Sequence, residues 1–286
     1  MEYVSAEEGK SEGREMMAPK KEVAREALLV AGAILLGSLI IAGAILLPAQ
    51  KGLVGAGNTG TQAATVPPVP TNPGAPSAVT QDQIKALFTD KNITFGKKDS
   101  KVLFVEFSDP SCPFCQLVAG KNGALNTKMG PQFTMVKDGG TYIAPVPEMK
   151  KMVDSGKAGF AWFYANGHGN GEMGAKSLYC AKEKGKFWEA HDLLMTEAGY
   201  NLLNNDIKND KARSGDLANF LKSAVNTNDM KSCLDSGKYD SRLAEDMALA
   251  QQYGFKGTPD FFVNATNFPG AVSFKDMQSA VDAAQK

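Results

Sequence analysis

"VEFSDPSCPFCQLV", residues 105–118, holds two cysteines three positions apart, with a proline directly after the first. Such a C-x-x-C can be half of a zinc site, a structural staple, or a redox pair that opens and closes. Its surroundings favour the last. "KVLFVEF" (101–107) is a short apolar, β-rich run ending in Ser-Asp-Pro, which reads as a buried strand. Pro113 suits the first turn of a helix, where a missing N–H costs nothing. Cys112 is therefore expected where a strand hands over to a helix N-terminus, on the exposed side of the turn. The unpaired N–H groups and partial positive charge there lower the pKa of a thiol. Cys115 lies one turn further in, more buried, and is expected to close the disulfide or release a mixed one. A structural zinc site needs four ligands, usually in two close pairs. Here Cys180 and Cys233 are far apart, and His168 and His191 share no short spacing with either. No metal and no cofactor are expected.

The chain has 286 residues, with 31 basic and 31 acidic side chains and a formal charge of zero. No field favours nucleic acid or an acidic surface. Residues 27–47, "ALLVAGAILLGSLIIAGAILL", carry no charge and a single hydroxyl. At helical rise the segment is about 31 Å long, close to the roughly 30 Å hydrocarbon core. It reads as a transmembrane anchor. Lys20, Lys21 and Arg25 precede it and only Lys51 follows closely, so residues 1–26 are expected in the cytoplasm and everything after Pro48 outside. A cleaved signal peptide is the alternative, with Val54-Gly55-Ala56 as a poor cleavage site and an apolar run too long for an ordinary h-region. Residues 48–80, rich in Pro, Gly, Thr and Ala, read as an extended tether that lifts residues 81–286 off the bilayer.

Within 81–286 the apolar patterns give further strands at 158–165 and 260–264. Helices are expected at about 172–184, 186–198, 215–225, 239–253 and 274–285. "QFTMVKDGGTYIA" (132–144) alternates with period two and reads as a β-hairpin turning at Lys137–Gly140. Cys180 and Cys233 are either buried free thiols or a structural disulfide. An oxidising exterior and the even cysteine count favour the disulfide.

The order strand, C-x-x-C helix, strand, helical block, Thr-Pro strand, final helix resembles the DsbA-like branch of the thioredoxin superfamily. The resemblance runs over roughly 93–284 and rests on "VEFSDPSCPFC", "CAKEKGKFWEAHDLL" (180–194), "CLDSGKYD" (233–240) and "YGFKGTPDFFVN" (253–264). It implies an α/β thioredoxin fold with a helical domain inserted at about 171–252. It implies a buried acid, Glu106, beneath the disulfide, assisting proton transfer at Cys115. A solvated edge-strand carboxylate is the alternative. It also implies a cis Thr258–Pro259 bond facing the sulfurs, with Pro113, Phe114 and Thr258 lining the substrate groove. Phe114 departs from the best-known oxidants, which carry His there, and 130–157 is longer than the usual link. His191 and Trp188 read as packing residues, and neither His191 nor His168 is assigned to catalysis.

The implied activity is extracytoplasmic thiol-disulfide exchange with the thiols of exported proteins. A quinone-linked membrane partner would re-oxidise the enzyme. A reductase or isomerase on the same fold, or a binding module with a permanent Cys112–Cys115 staple, are the competing readings.

Overall fold

The computed structural model describes residues 78–286. Among them no helix is long and apolar enough to cross a membrane. The expected anchor at 27–47 and nearly all of the tether lie outside the described residues.

The order is α1 (Gln81–Ala86), β1 (Ile93–Phe95), β2 (Val102–Ser108), α2 (Pro113–Ala119), α3 (Gly123–Lys128), α4 (Pro145–Asp154) and β3 (Ala158–Tyr164). Then come α5 (Glu172–Glu183), α6 (Phe187–Leu194), α7 (Glu197–Asn201), α8 (Ser214–Phe220), α9 (Thr227–Asp235) and α10 (Asp240–Gln252). The chain closes with β4 (Asp260–Val263), β5 (Thr266–Pro269) and α11 (Phe274–Gln285).

Five strands form one sheet in the order β1-β3-β2-β4-β5. The central β2 runs parallel to β3 and antiparallel to β4, and every residue of β2 and β3 is buried. A strand covered on both faces needs apolar residues at successive positions, which is what "VLFVEFS" and "AGFAWFY" supply. Alternation sends Val105 and Phe107 to a cluster with Ile84 of α1 and Ala250 of α10. Phe104 faces the other, larger cluster, with Trp162 of β3, Phe187 of α6 and Met277 of α11. Glu106 pairs with Trp162 in register and therefore shares that second face.

The helical block, α5 to α10, is cross-linked by a Cys180–Cys233 disulfide between α5 and α9, with Cα atoms 6.0 Å apart. The predicted disulfide forms, which also withdraws both sulfurs from any metal site.

The expected hairpin at 132–144 is not present. Two short 3-10 turns (Pro131–Phe133, Val136–Asp138) and a single Met135–Tyr142 bridge replace it. The Met135 carbonyl accepts the N–H groups of Asp138 and Gly140, which curls the chain before a ladder can start. The alternating Phe133, Met135, Tyr142 and Ala144 converge on a small cluster of their own instead of lining a sheet face. The expected single helix over 186–198 is likewise two, α6 and α7, with a new N-cap at Thr196 whose hydroxyl accepts the Gly199 N–H.

Candidate active site

Ser-Asp-Pro ends β2 because proline cannot donate to a ladder, and the chain turns straight into α2. Cys112 is the N-cap of α2 and Pro113 its first residue. Its surroundings differ from the expectation in one respect. Cys112 is only 3% exposed, so it is not on an open side of the turn. Thr258 sits over it, and the Cys112 thiol donates to the Thr258 carbonyl oxygen at 3.5 Å. The peptide bond between Thr258 and Pro259 is cis.

Cys115 is fully buried and its Sγ accepts the Asp109 N–H at 3.3 Å. The two sulfurs are not joined in a disulfide. Their environments pull apart. A hydrogen bond from Cys115 is the main influence bringing the Cys112 thiol down to about 6, opposed by burial and helped by Thr258 and by the N–H groups of Cys115 and Phe114. The helix start thus contributes, but less than the partner thiol. Cys115 is pushed well above the ordinary thiol range, first by burial and then by its bond to Cys112. The pair can therefore hold one thiolate on the outer sulfur and one proton on the inner.

Glu106 lies on the inner side, 1% exposed, and is not an edge carboxylate in water. Burial raises its carboxyl from 4.5 to about 7, against an opposing pull from His191. Phe114, by contrast, is 40% exposed beside the cysteines, and its ring meets Phe133 edge-on at 6.1 Å. Phe133 in turn meets Tyr142 at 5.7 Å. The 130–144 segment thereby extends the apolar surface next to Cys112.

Two residues that the sequence did not single out hold the loop facing Cys112. The buried Asp109 accepts the N–H and hydroxyl of Ser111 through Oδ1, at 2.8 and 2.7 Å. Through Oδ2 it accepts the N–H groups of Gly167 and His168, both at 2.9 Å. Gly167 packs directly against Thr258. Asp109 in "SDPSC" carries a turn signal, but nothing in the sequence points from it to 167–168. His168 donates only its backbone here, and its side chain is exposed.

A family model described as thioredoxin matches residues 147–283, a stretch that begins after the cysteine pair and includes the helical block and Thr258–Pro259. The Na(+)/H(+) antiporter NhaA 3 of Salinispora tropica is 24% identical over 196 residues, or 67% of this chain, which spans only 24% of that protein's length. Disulfide bond formation protein D of Bacillus subtilis is 21% identical over 193 residues, covering 65% of this chain and 74% of its own. Among solved structures, Wolbachia pipientis alpha-DsbA1 superposes with a TM-score of 0.51 at 16% identity, over 70% of this chain and 95% of that one. The chain thus carries a DsbA-like thioredoxin fold with a helical insertion.

Proposed function

We propose that residues 81–286 are an extracytoplasmic thiol-disulfide oxidoreductase that donates the Cys112–Cys115 disulfide to thiols of exported proteins. The observation that carries this reading is the unequal pair: Cys112 brought down to about 6 and Cys115 pushed well up, three positions apart at the start of one helix.

A substrate thiolate attacks the Cys112 sulfur, and the Cys112–Cys115 bond breaks as the new disulfide forms. Cys115 leaves as a thiolate and takes a proton, a role the resemblance gives to the buried, protonated Glu106. A second substrate thiolate then attacks its own sulfur in the mixed disulfide and expels Cys112. A thiol of low pKa leaves readily, and a stabilised thiolate product drives the exchange toward substrate oxidation. The Thr258–Pro259 backbone faces the attacked sulfur and is suited to hold an extended substrate segment, with Pro113 and Phe114 on the opposite wall.

On this reading residues 27–47 anchor the enzyme, with the N-terminus cytoplasmic and the domain outside. A quinone-linked membrane partner restores the disulfide. Cys115→Ser should accumulate mixed disulfides with exported proteins through Cys112, whereas Cys112→Ser should trap none. Equal trapping by both would overturn the assignment. A membrane-impermeant thiol reagent should label reduced Cys112 in intact cells. Labelling only after lysis would sink the proposed orientation.

Phe114 favours a second reading, a reductase or isomerase on the same fold. It offers no hydrogen bond or charge to the Cys112 thiolate, which leaves the dithiol form less favoured. A potential of the Cys112/Cys115 pair as reducing as that of thioredoxin, about −270 mV, would decide for it.

A further inference from the structure

Ser111, the residue before Cys112, is fully buried, and each of its polar atoms has a partner. Its N–H and its hydroxyl both donate to Asp109 Oδ1, and its Oγ accepts the Asn170 N–H at 3.2 Å. Its carbonyl oxygen, which belongs to the Ser111–Cys112 peptide, accepts from Nδ2 of Asn204 at 3.0 Å. Among the described residues no other group donates to that oxygen. Asn204 lies 93 positions further along the chain, in the helical block.

An unusual turn delivers it. Leu202–Ile207 form a π-helix that continues α7, a rare geometry that recurs at functional sites. Leu203 and Ile207 of this turn are buried in the larger core cluster, while the half-buried Asn204 reaches the active-site turn. Both amide hydrogens of Asn204 are used, the second on the Tyr200 carbonyl at 3.1 Å, and its Oδ1 accepts from the Asn170 amide at 3.1 Å. Turning the amide would break all three bonds. Helix α7 also stands near the nucleophile, since burial and then the charge of Cys112 raise the Tyr200 phenol. The π turn ends in Lys208 and Asn209, both in the left-handed region with φ of 46° and 62°. Asn209 fastens that end, donating to the Gly169 carbonyl at 2.7 Å and accepting the Met173 N–H at 3.0 Å.

We propose that Asn204 is a positioning residue for Cys112: by fixing the Ser111–Cys112 peptide it keeps the Cys112 sulfur at the start of α2 and beneath Thr258. This inference rests on the exchange reaction proposed above and adds to it a residue of the helical block. Without Asn204 the Ser111 carbonyl would be buried with no donor, a state that buried backbone rarely tolerates. Rotating the peptide toward another donor would restore the bond and swing the Cys112 side chain with it. The sulfur would then leave the N–H groups of Cys115 and Phe114 that favour its thiolate. With less stabilisation of the thiolate, the dithiol form is less favoured and the pair is a weaker oxidant.

The test uses three variants of the full-length protein. Asn204→Ala removes the donors without adding charge. Asn204→Asp keeps the size of the side chain and sets an acceptor against both carbonyls. Asn209→Gly keeps the positive φ and frees the π turn from Gly169 and Met173 without touching Ser111. Thiolate ultraviolet absorbance follows the Cys112 titration, and equilibration with glutathione gives the Cys112/Cys115 potential. In Asn204→Ala the Cys112 midpoint should rise by about one unit, and the exchange equilibrium should shift about tenfold, or about 30 mV in the reducing direction. Asn204→Asp should move both the same way and further. Asn209→Gly should leave both at their wild-type values even where it lowers the melting temperature. A wild-type titration and potential in either Asn204 variant would overturn the role, and so would an equal shift in Asn209→Gly. Each of these outcomes leaves the oxidoreductase reading intact, whereas a wild-type pair that exchanges no disulfide with glutathione would defeat that reading itself.

Discussion

Gly167 lies so close to Thr258 that a β-carbon placed on it would stand 1.7 Å from the Thr258 hydroxyl oxygen and 2.8 Å from its Cβ. The loop that Asp109 holds by its backbone is thus the backing of the loop that faces Cys112. Gly167→Ala should push Thr258 out of place with little loss of helical or sheet content. A displacement of the order of 1 Å at a reacting centre can cost about 10²-fold in rate. The single-turnover rate of disulfide transfer to a reduced peptide checks this, and a rate within twofold of wild type would show that Thr258 yields without consequence.

Glu106 gives a pH prediction whose sign differs from that of an ordinary ion-paired carboxylate. Its folded-state value, about 7, lies above the ordinary 4.5. Between those values the native state holds a proton that the unfolded chain releases, so stability falls as pH rises through this window. Glu106→Gln removes the burden of ionising in an apolar site, worth about 3 kcal/mol above pH 7. Urea unfolding of the oxidised forms, in which Cys112 does not titrate, should show the variant and wild type alike near pH 4 and the variant more stable at pH 8. The same variant should lose the pH dependence of Cys115 protonation. Parallel stability curves across this range would mean that the carboxyl is not perturbed.

Phe114 predicts the redox poise. Phe114→His puts a donor beside a thiolate that now relies on Cys115 and backbone N–H groups. The potential of the pair should move in the oxidising direction, by about 30 mV for each tenfold gain in the exchange equilibrium. Equilibration against glutathione measures it. No change in either the potential or the Cys112 titration would show that the residue between the cysteines does not set the poise.

The helical block predicts a separation of stability from chemistry. The Cys180–Cys233 bond closes a loop with a sequence separation of 53, for which chain entropy gives a stabilisation of about 4 kcal/mol. Replacing both cysteines by Ala should lower denaturation midpoints accordingly while the Cys112/Cys115 potential stays put. A shifted potential would place the second disulfide in the redox circuit.

Periodicity made α5, α10, α11 and the central strands legible, because each has one demand on its side chains and the sequence meets it. Helix α4 was hidden by Pro145 and Pro147, which suggest a loop in isolation. Both sit in the first turn, where proline costs no internal bond. Strands β1 and β5 span three and four residues, too short to show alternation. The cysteine pair stood out from local sequence, while the resemblance drew attention to Glu106 and the Thr-Pro turn. Asp109 and Gly167 stood out in neither way, since each matters through a residue tens of positions away.

The cross-link between α5 and α9 also bears on how the protein comes into being. A newly made copy lacks that bond, and acquiring it is the same kind of reaction proposed for the finished domain. If the domain donates disulfides as proposed, finished copies would hasten the completion of later ones. Accumulation of the cross-linked form would then follow a sigmoidal course, with a lag set by how many finished copies were already present.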